Sequence, residues 1–124
     1  MLWHFDNELP IYTQLIHQIK FAIVAGELKP GERMMTVRDL ALEAGVNPNT
    51  MQRALAELER EGLVFSQRSS GRYVTDDSGV IAAAREALAA EHVRRFRQAM
   101  RSLGCTEDEM MNFLAKSRKE EEHG

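Results

Sequence analysis

The chain holds a single cysteine, Cys105, among 124 residues, so no internal disulfide can form and the fold must rest on packing. The thiol lies near an expected helix start and reads as a small, partly buried side chain. No apolar run approaches the roughly 20 residues needed to span a bilayer. The opening "MLWHFDNELP" has neither a basic flank nor a long apolar segment, and a cytoplasmic location is expected. Glycine-rich phosphate loops, nucleophile elbows and His/Cys pairs at metal-ligand spacing are missing, which excludes the common enzyme classes and leaves no cofactor or metal to expect. A basic excess is lacking too, since 16 Lys and Arg against 19 Asp and Glu leave a net charge of −3. That argues against far-field attraction to nucleic acid, although binding depends on where the cations sit on one face. Low-complexity tracts and repeats are absent, and disorder is expected only in the charged tail "KSRKEEEHG".

What is present is 44% hydrophobic and 28% charged, ordinary for one globular domain with an appendage. In "PIYTQLIHQIKFAIVA", Ile11, Leu15, Ile19, Ala22 and Ile23 recur at helical spacing; Pro10 suits the first turn and Gly26 the end. Leu2, Trp3 and Phe5 before it read as an arm packed on the core. Thr36 caps a second helix by accepting from the Asp39 N–H, and this helix runs to about Ala44 before Gly45. A third begins with Asn47 as cap and Pro48 in the first position, and runs to about Glu61 before Gly62. Its buried stripe is Met51, Ala54, Leu55 and Leu58, which leaves Asn49, Thr50, Gln52 and Arg53 largely outside. "LVFSQ" and "RYVT" around "RSSG" predict a β-hairpin with Gly71 in its turn. Ile81, Ala84, Leu88, His92, Phe96, Ala99 and Leu103 then mark a helix of about six turns, ended by Gly104. Thr106 to Glu109 form a capping box for a last helix bearing Met110, Met111, Phe113 and Leu114.

Two helices joined by a short glycine turn and followed by a hairpin describe a winged helix-turn-helix, rather than a helical hairpin of chance spacing. The fold class expected is mainly α with a small β-hairpin: a winged domain over residues 1–76 and a two-helix dimerisation extension over 77–124. A helix of this diameter fits the major groove of B-DNA with its N-terminal side chains at base edges. Asn and Gln bond adenine in bidentate fashion, Arg bonds guanine, and Thr bonds either partner or touches a thymine methyl. The candidate DNA contacts are therefore Thr36, Arg38, Asn47, Asn49, Thr50, Gln52 and Arg53, with Arg68, Gly71 and Arg72 at the hairpin.

From about Pro10 to Val74 the ordered pieces "G-E-L-x-P-G", "V-R-D-L-A", "G-V-N-P-N-T", "A-L-x-E-L-E-R-E-G-L" and "G-R-Y-V" resemble the GntR family of bacterial transcription regulators. "PIYTQL" and "NPNT" look like its YtrA subfamily, whose members carry a short two-helix C-terminal extension. The resemblance implies a homodimer on a palindromic operator, usually repressing, often near genes for ABC-type transporters. It also implies DNA approach by Arg38, by residues around Asn47 to Arg53, and by Gly71. Two departures stand out. Met34-Met35-Thr36 replaces a frequent Leu-Pro-Ser, and Arg68-Ser69-Ser70-Gly71-Arg72 replaces Arg-Gly-Arg-Gly-Thr in the wing.

The apolar stripe of the long helix needs cover, and a second copy is the economical partner. Ile81, Ala84, Leu88, His92, Phe96, Ala99, Leu103, Met110, Phe113 and Leu114 form the expected dimer surface. His92 reads as an interface or core residue rather than a pH switch, and Arg94, Arg97 and Arg101 as a solvated opposite face. The rival readings are a winged helix that docks a protein, and a regulator whose small-molecule effector enters between the C-terminal helices and the DNA-binding domain.

Overall fold

The computed structural model describes residues 1–123. Its elements run α1 (Ile11–Val24), α2 (Val37–Ala44), α3 (Pro48–Arg60), β1 (Val64–Gln67), β2 (Gly71–Val74), α4 (Ser78–Ser102) and α5 (Glu107–His123). This is the mainly helical architecture with one antiparallel hairpin that the sequence patterns predict. The chain divides into two compact units, Met1–Arg85 and Glu86–Gly124, so the first turns of α4 belong with the winged domain.

In the first unit, α1 buries Leu15, Ile19, Ala22 and Ile23 along one stripe. Pro10 stands one residue outside the helix, with ψ 132°, and does not occupy the first turn. Proline presets φ but leaves ψ free, and here ψ turns the chain into an arm that doubles back along α1. Two glutamines hold that arm. Gln18 accepts from the His4 N–H at 3.0 Å and donates to the His4 carbonyl at 2.7 Å, while Gln14 does the same for Asp6 at 2.7 and 2.8 Å. Trp3 and Phe5 consequently pack on the core, as expected, but Leu2 is exposed and Met1 packs there in its place; the Trp3 indole N–H donates to Glu43 at 3.0 Å.

The Thr36 hydroxyl accepts the Asp39 N–H at 3.1 Å and opens α2. At the far end Gly45 takes φ 71°, a left-handed conformation that costs a side-chain-bearing residue energy. The Gly45 N–H returns to Leu42 O and the Val46 N–H to Ala41 O, which satisfies the last carbonyls and turns the chain sharply into α3. Leu40 and Ala41 of α2 meet Met51, Ala54, Leu55 and Leu58 of α3 in one cluster, together with the α1 stripe, Leu63, Val64 and Val74. Each fully buried Leu here contributes about 2 kcal/mol relative to exposure.

β1 and β2 pair in the register Val64↔Val74 to Gln67↔Gly71. The hairpin loop is Arg68-Ser69-Ser70, and Gly71 is the first residue of β2 rather than part of the turn. The left-handed loop position falls instead on Ser69, at φ 70°. A feature that periodicity did not predict is a third backbone segment beside β2. Glu32 O accepts the Val74 N–H at 2.9 Å, the Met34 N–H donates to Arg72 O at 2.8 Å, and Arg33 bridges to Tyr73. It covers the outer edge of the wing.

Asp77 caps α4, its carboxylate accepting the N–H groups of Gly79 and Val80 at 2.9 and 3.3 Å. Ile81 is only 6% exposed and lies within the core cluster of the first unit, with Ala84 packed against it. These two residues are therefore taken up by the chain's own core, and the stripe open to any partner starts later than expected. The reason is local: Val80 and Ile81 are the first apolar residues after the wing and close over it.

The second unit is the remainder of α4 with α5. The capping box forms reciprocally, the Thr106 N–H donating to Glu109 at 3.0 Å and the Glu109 N–H to the Thr106 hydroxyl at 3.2 Å. Met110 is 2% exposed, buried by this unit itself rather than left for a partner. His92 is exposed, not a core residue, and Cys105 is half-buried. Arg94 and Arg101 are exposed, as a solvated face requires, and Arg97 is half-buried; Arg97 and Arg101 pair with Glu107 at the start of α5, and Arg94 with Glu91. An apolar groove of about 330 Å³ runs between α4 and α5, lined by His92, Val93, Phe96, Arg97, Met110, Met111 and Leu114.

Candidate nucleic-acid interface

The reading helix is positioned from both ends. The Asn47 side chain accepts the Asn49 N–H at 2.7 Å and Pro48 fixes the first helical φ, so the turn carrying Asn49 and Thr50 has one backbone geometry. Beneath it, Met51, Ala54, Leu55 and Leu58 are buried, which rotates Asn49, Gln52 and Arg53 outward; all three are exposed, and Thr50 is half-buried. Asn49 and Arg53 stand four residues apart and share one face. The Arg53 guanidinium lies over the Tyr12 ring, 4.6 Å from its centroid. Thr36 and Arg38 at the start of α2 are exposed, although the Thr36 hydroxyl already serves the cap.

In the wing, Arg68 is exposed in the loop. Arg72 differs from the expectation of a free side chain flanking the tip: it lies within β2 opposite Ser66, is half-buried, and its Nε is buried without a hydrogen-bond partner among the described residues. Gly71 is exposed at φ 110°, and a Cβ there would stand 3.5 Å from the Arg33 Nε. Arg33 is thus a residue that the sequence reading missed. It is exposed and its guanidinium rests against the wing glycine, because the covering segment pairs it with Tyr73. Its only sequence signal was a cation two residues after the Pro30-Gly31 turn, which does not locate it beside the wing.

The distribution of ion pairs separates two populations of arginine. Arg60, Arg94, Arg95, Arg97, Arg101 and Arg118 each pair with a carboxylate, and Arg85 donates to the Val24 carbonyl. Among the described residues, Arg33, Arg38, Arg53, Arg68 and Arg72 have no such pair, and all five belong to α2, α3 or the wing with its covering segment. Of the six arginines without a carboxylate among the described residues, five thereby lie in one motif and only Arg85 lies outside it, a placement that favours phosphate binding despite a net charge of −3. No group of three or more His, Cys, Asp or Glu able to hold a metal occurs among the described residues, and no described helix is long and apolar enough to cross a membrane.

Residues 11–74 match the family described as bacterial regulatory proteins, gntR family. The chain belongs to the GntR family. It is 36% identical over 110 residues to the HTH-type transcriptional regulator YhcF of Bacillus subtilis, covering 89% of this chain and 91% of that one. It is 42% identical over 72 residues to the HTH-type transcriptional repressor YtrA of the same organism, covering 58% of this chain and 55% of that one. Among solved structures, a GntR family transcriptional regulator from Listeria monocytogenes superposes with a TM-score of 0.84 at 35% identity, covering 90% of this chain and 98% of that one. The DNA-binding domain of AraR in complex with an operator superposes with a TM-score of 0.52 at 27% identity, over 60% of this chain and 90% of that one. This GntR member is a transcriptional regulator that binds DNA through a winged helix-turn-helix, with YtrA-like relatives, in a family of regulators rather than enzymes.

Proposed function

We propose that the protein is a repressor that binds a palindromic operator as a homodimer, with α3 in the major groove and the wing against the backbone or adjacent minor groove. The observation that carries this reading is the set Arg33, Arg38, Arg53, Arg68 and Arg72, without carboxylate partners, gathered around an exposed Asn49 and Gln52 and a half-buried Thr50. Base edges are read by the amide and guanidinium groups; Arg33, Arg38 and Arg68 supply phosphate contacts that set register.

The second unit supports the dimeric part. Leu103 is 77% exposed, and Val93, Met111, Phe113 and Leu114 are exposed apolar side chains beside the α4/α5 groove. A second copy related by a two-fold axis covers such a surface and sets two α3 helices at one separation, to match half-sites about 10 bp apart or a multiple. Repression is the reading favoured by the name of the YtrA relative, and the operator by the AraR complex.

Selection of bound fragments from the source genome, followed by footprinting, tests the reading. Two protected half-sites in inverted repeat, bound with affinity that falls steeply as salt rises, are expected. Weak, salt-insensitive association with every duplex would favour a protein-docking role instead. Phe113→Glu is expected to give a monomer by light scattering and to lose operator affinity; a dimeric Phe113→Glu protein with full affinity would remove α5 from the interface.

A further inference from the structure

Arg53 presents an electrostatic puzzle. Its natural helical partner is Glu57, four residues on, yet Glu57 is engaged by Arg60 through two guanidinium contacts. The Arg60 hydrogen bond holds the Glu57 carboxyl below the usual carboxylate range, so that acid is already satisfied. Arg53 is left with no carboxylate and lies instead over the face of Tyr12, a half-buried residue of α1 packed against the core. The Tyr12 hydroxyl makes no hydrogen bond among the described residues, so the ring face is what Tyr12 offers.

The two ways of holding an arginine differ in what they leave free. A carboxylate takes the edge of the guanidinium and consumes two of its five N–H donors. An aromatic ring takes the flat face, leaving the in-plane fork open to a base or phosphate. Stacking also removes rotamer freedom before binding, which lowers the entropic cost of docking a long side chain.

We propose that Tyr12 is a positioning residue for DNA reading: its ring, anchored in the core by α1, holds the Arg53 fork edge-outward beside Asn49 so that it engages a base in bidentate fashion. The helix that carries Tyr12 is thereby part of the specificity apparatus without touching DNA. This rests on the proposed operator reading, and its test is built to fail separately from it.

The probes are a duplex selected by the wild-type protein from genomic fragments and its scrambled counterpart. Tyr12→Phe is expected to keep the wild-type preference for the selected duplex within about two-fold, because the ring remains. Tyr12→Leu is expected to lose roughly two- to five-fold of that preference per half-site, at one base pair, with little change on the scrambled duplex. In an Arg53→Ala background, Tyr12→Leu is expected to have no further effect on preference. A Tyr12→Leu loss of equal size in that background, or a loss of equal size on both duplexes, would overturn the proposal while leaving operator binding intact; wild-type protein with no preference would instead defeat the operator reading. Should Tyr12→Leu fail to fold, NMR of the wild-type protein decides. Arg53 side-chain protons shifted upfield by the Tyr12 ring support the stack, and unshifted protons overturn it.

Discussion

Asn47 Oδ1 accepts the backbone N–H of Asn49 at 2.7 Å, which makes the residue just ahead of α3 both the cap of the helix and a neighbour of the reading surface. The two roles separate by substitution. Asn47→Ala removes the cap and is expected to cost about 1 kcal/mol of stability in denaturant unfolding. Asn47→Asp keeps the cap and suits the positive helix end, but sets a negative charge against the phosphates. Unchanged melting with operator affinity lowered several-fold is the expected result. Full operator affinity in Asn47→Asp would detach the start of α3 from the DNA surface.

Arg33 rests against Gly71 at the loop end of the wing with no acidic partner among the described residues. Arg33→Gln retains most of the stem and removes the charge. If Arg33 meets a phosphate, the slope of log affinity against log salt falls by about one per protomer, and the loss is the same for operator and scrambled duplex. Fluorescence anisotropy across a salt series measures both. An unaltered slope would make Arg33 a wing-packing residue only.

Much of this was legible in the sequence, and the parts that were not share a physical cause. Thr36, Gly45, Asn47, Pro48 and Gly62 punctuate α2 and α3 because capping and left-handed positions select residue types locally. The stripe Met51, Ala54, Leu55, Leu58 gave the orientation of α3, and hence the outward placement of Asn49, Gln52 and Arg53, by periodicity alone. Arg33 and the Tyr12 stack depend on contacts between distant segments, which periodicity does not encode. Ile81 and Met110 were assigned to a partner surface for the same reason: an apolar position says that a side chain is covered, not whether its own chain or another copy covers it. Arg97 and Arg101 keep solvent access as their spacing implies, but their partner Glu107 lies beyond a glycine turn, where helical spacing does not reach.

Ser69 occupies the left-handed position of the wing loop at φ 70°, where a Cβ is unfavourable. Ser69→Gly relieves that strain but adds freedom to the unfolded chain, so the net gain is expected to be at most about 1 kcal/mol. Ser69→Val, branched at Cβ, is expected to destabilise by at least as much. Thermal melts of the pair give the sign directly. If the valine variant melts at or above the wild-type temperature, the loop adopts another conformation in solution.

In the second unit the Glu109 carboxyl is held below its usual range by the backbone N–H of Thr106, with the Thr106 hydroxyl acting in the same direction. A carboxyl whose value is depressed on folding contributes stability that is complete above its unfolded value and disappears as pH falls through the lower, folded one. Glu109→Gln keeps an acceptor for the capping box and abolishes the titration. It is expected to melt below the wild-type protein at pH 6 and to converge on it as pH falls through the lowered, folded value and the wild-type carboxyl takes up its proton. Glu57 and Glu91, held low by Arg60 and Arg94, titrate over the same acid range in both proteins and cancel in the difference. A gap between the two melting curves that does not narrow as the pH is lowered through the acid range would therefore assign the effect of the substitution to packing at the start of α5 instead of to the charge of its cap.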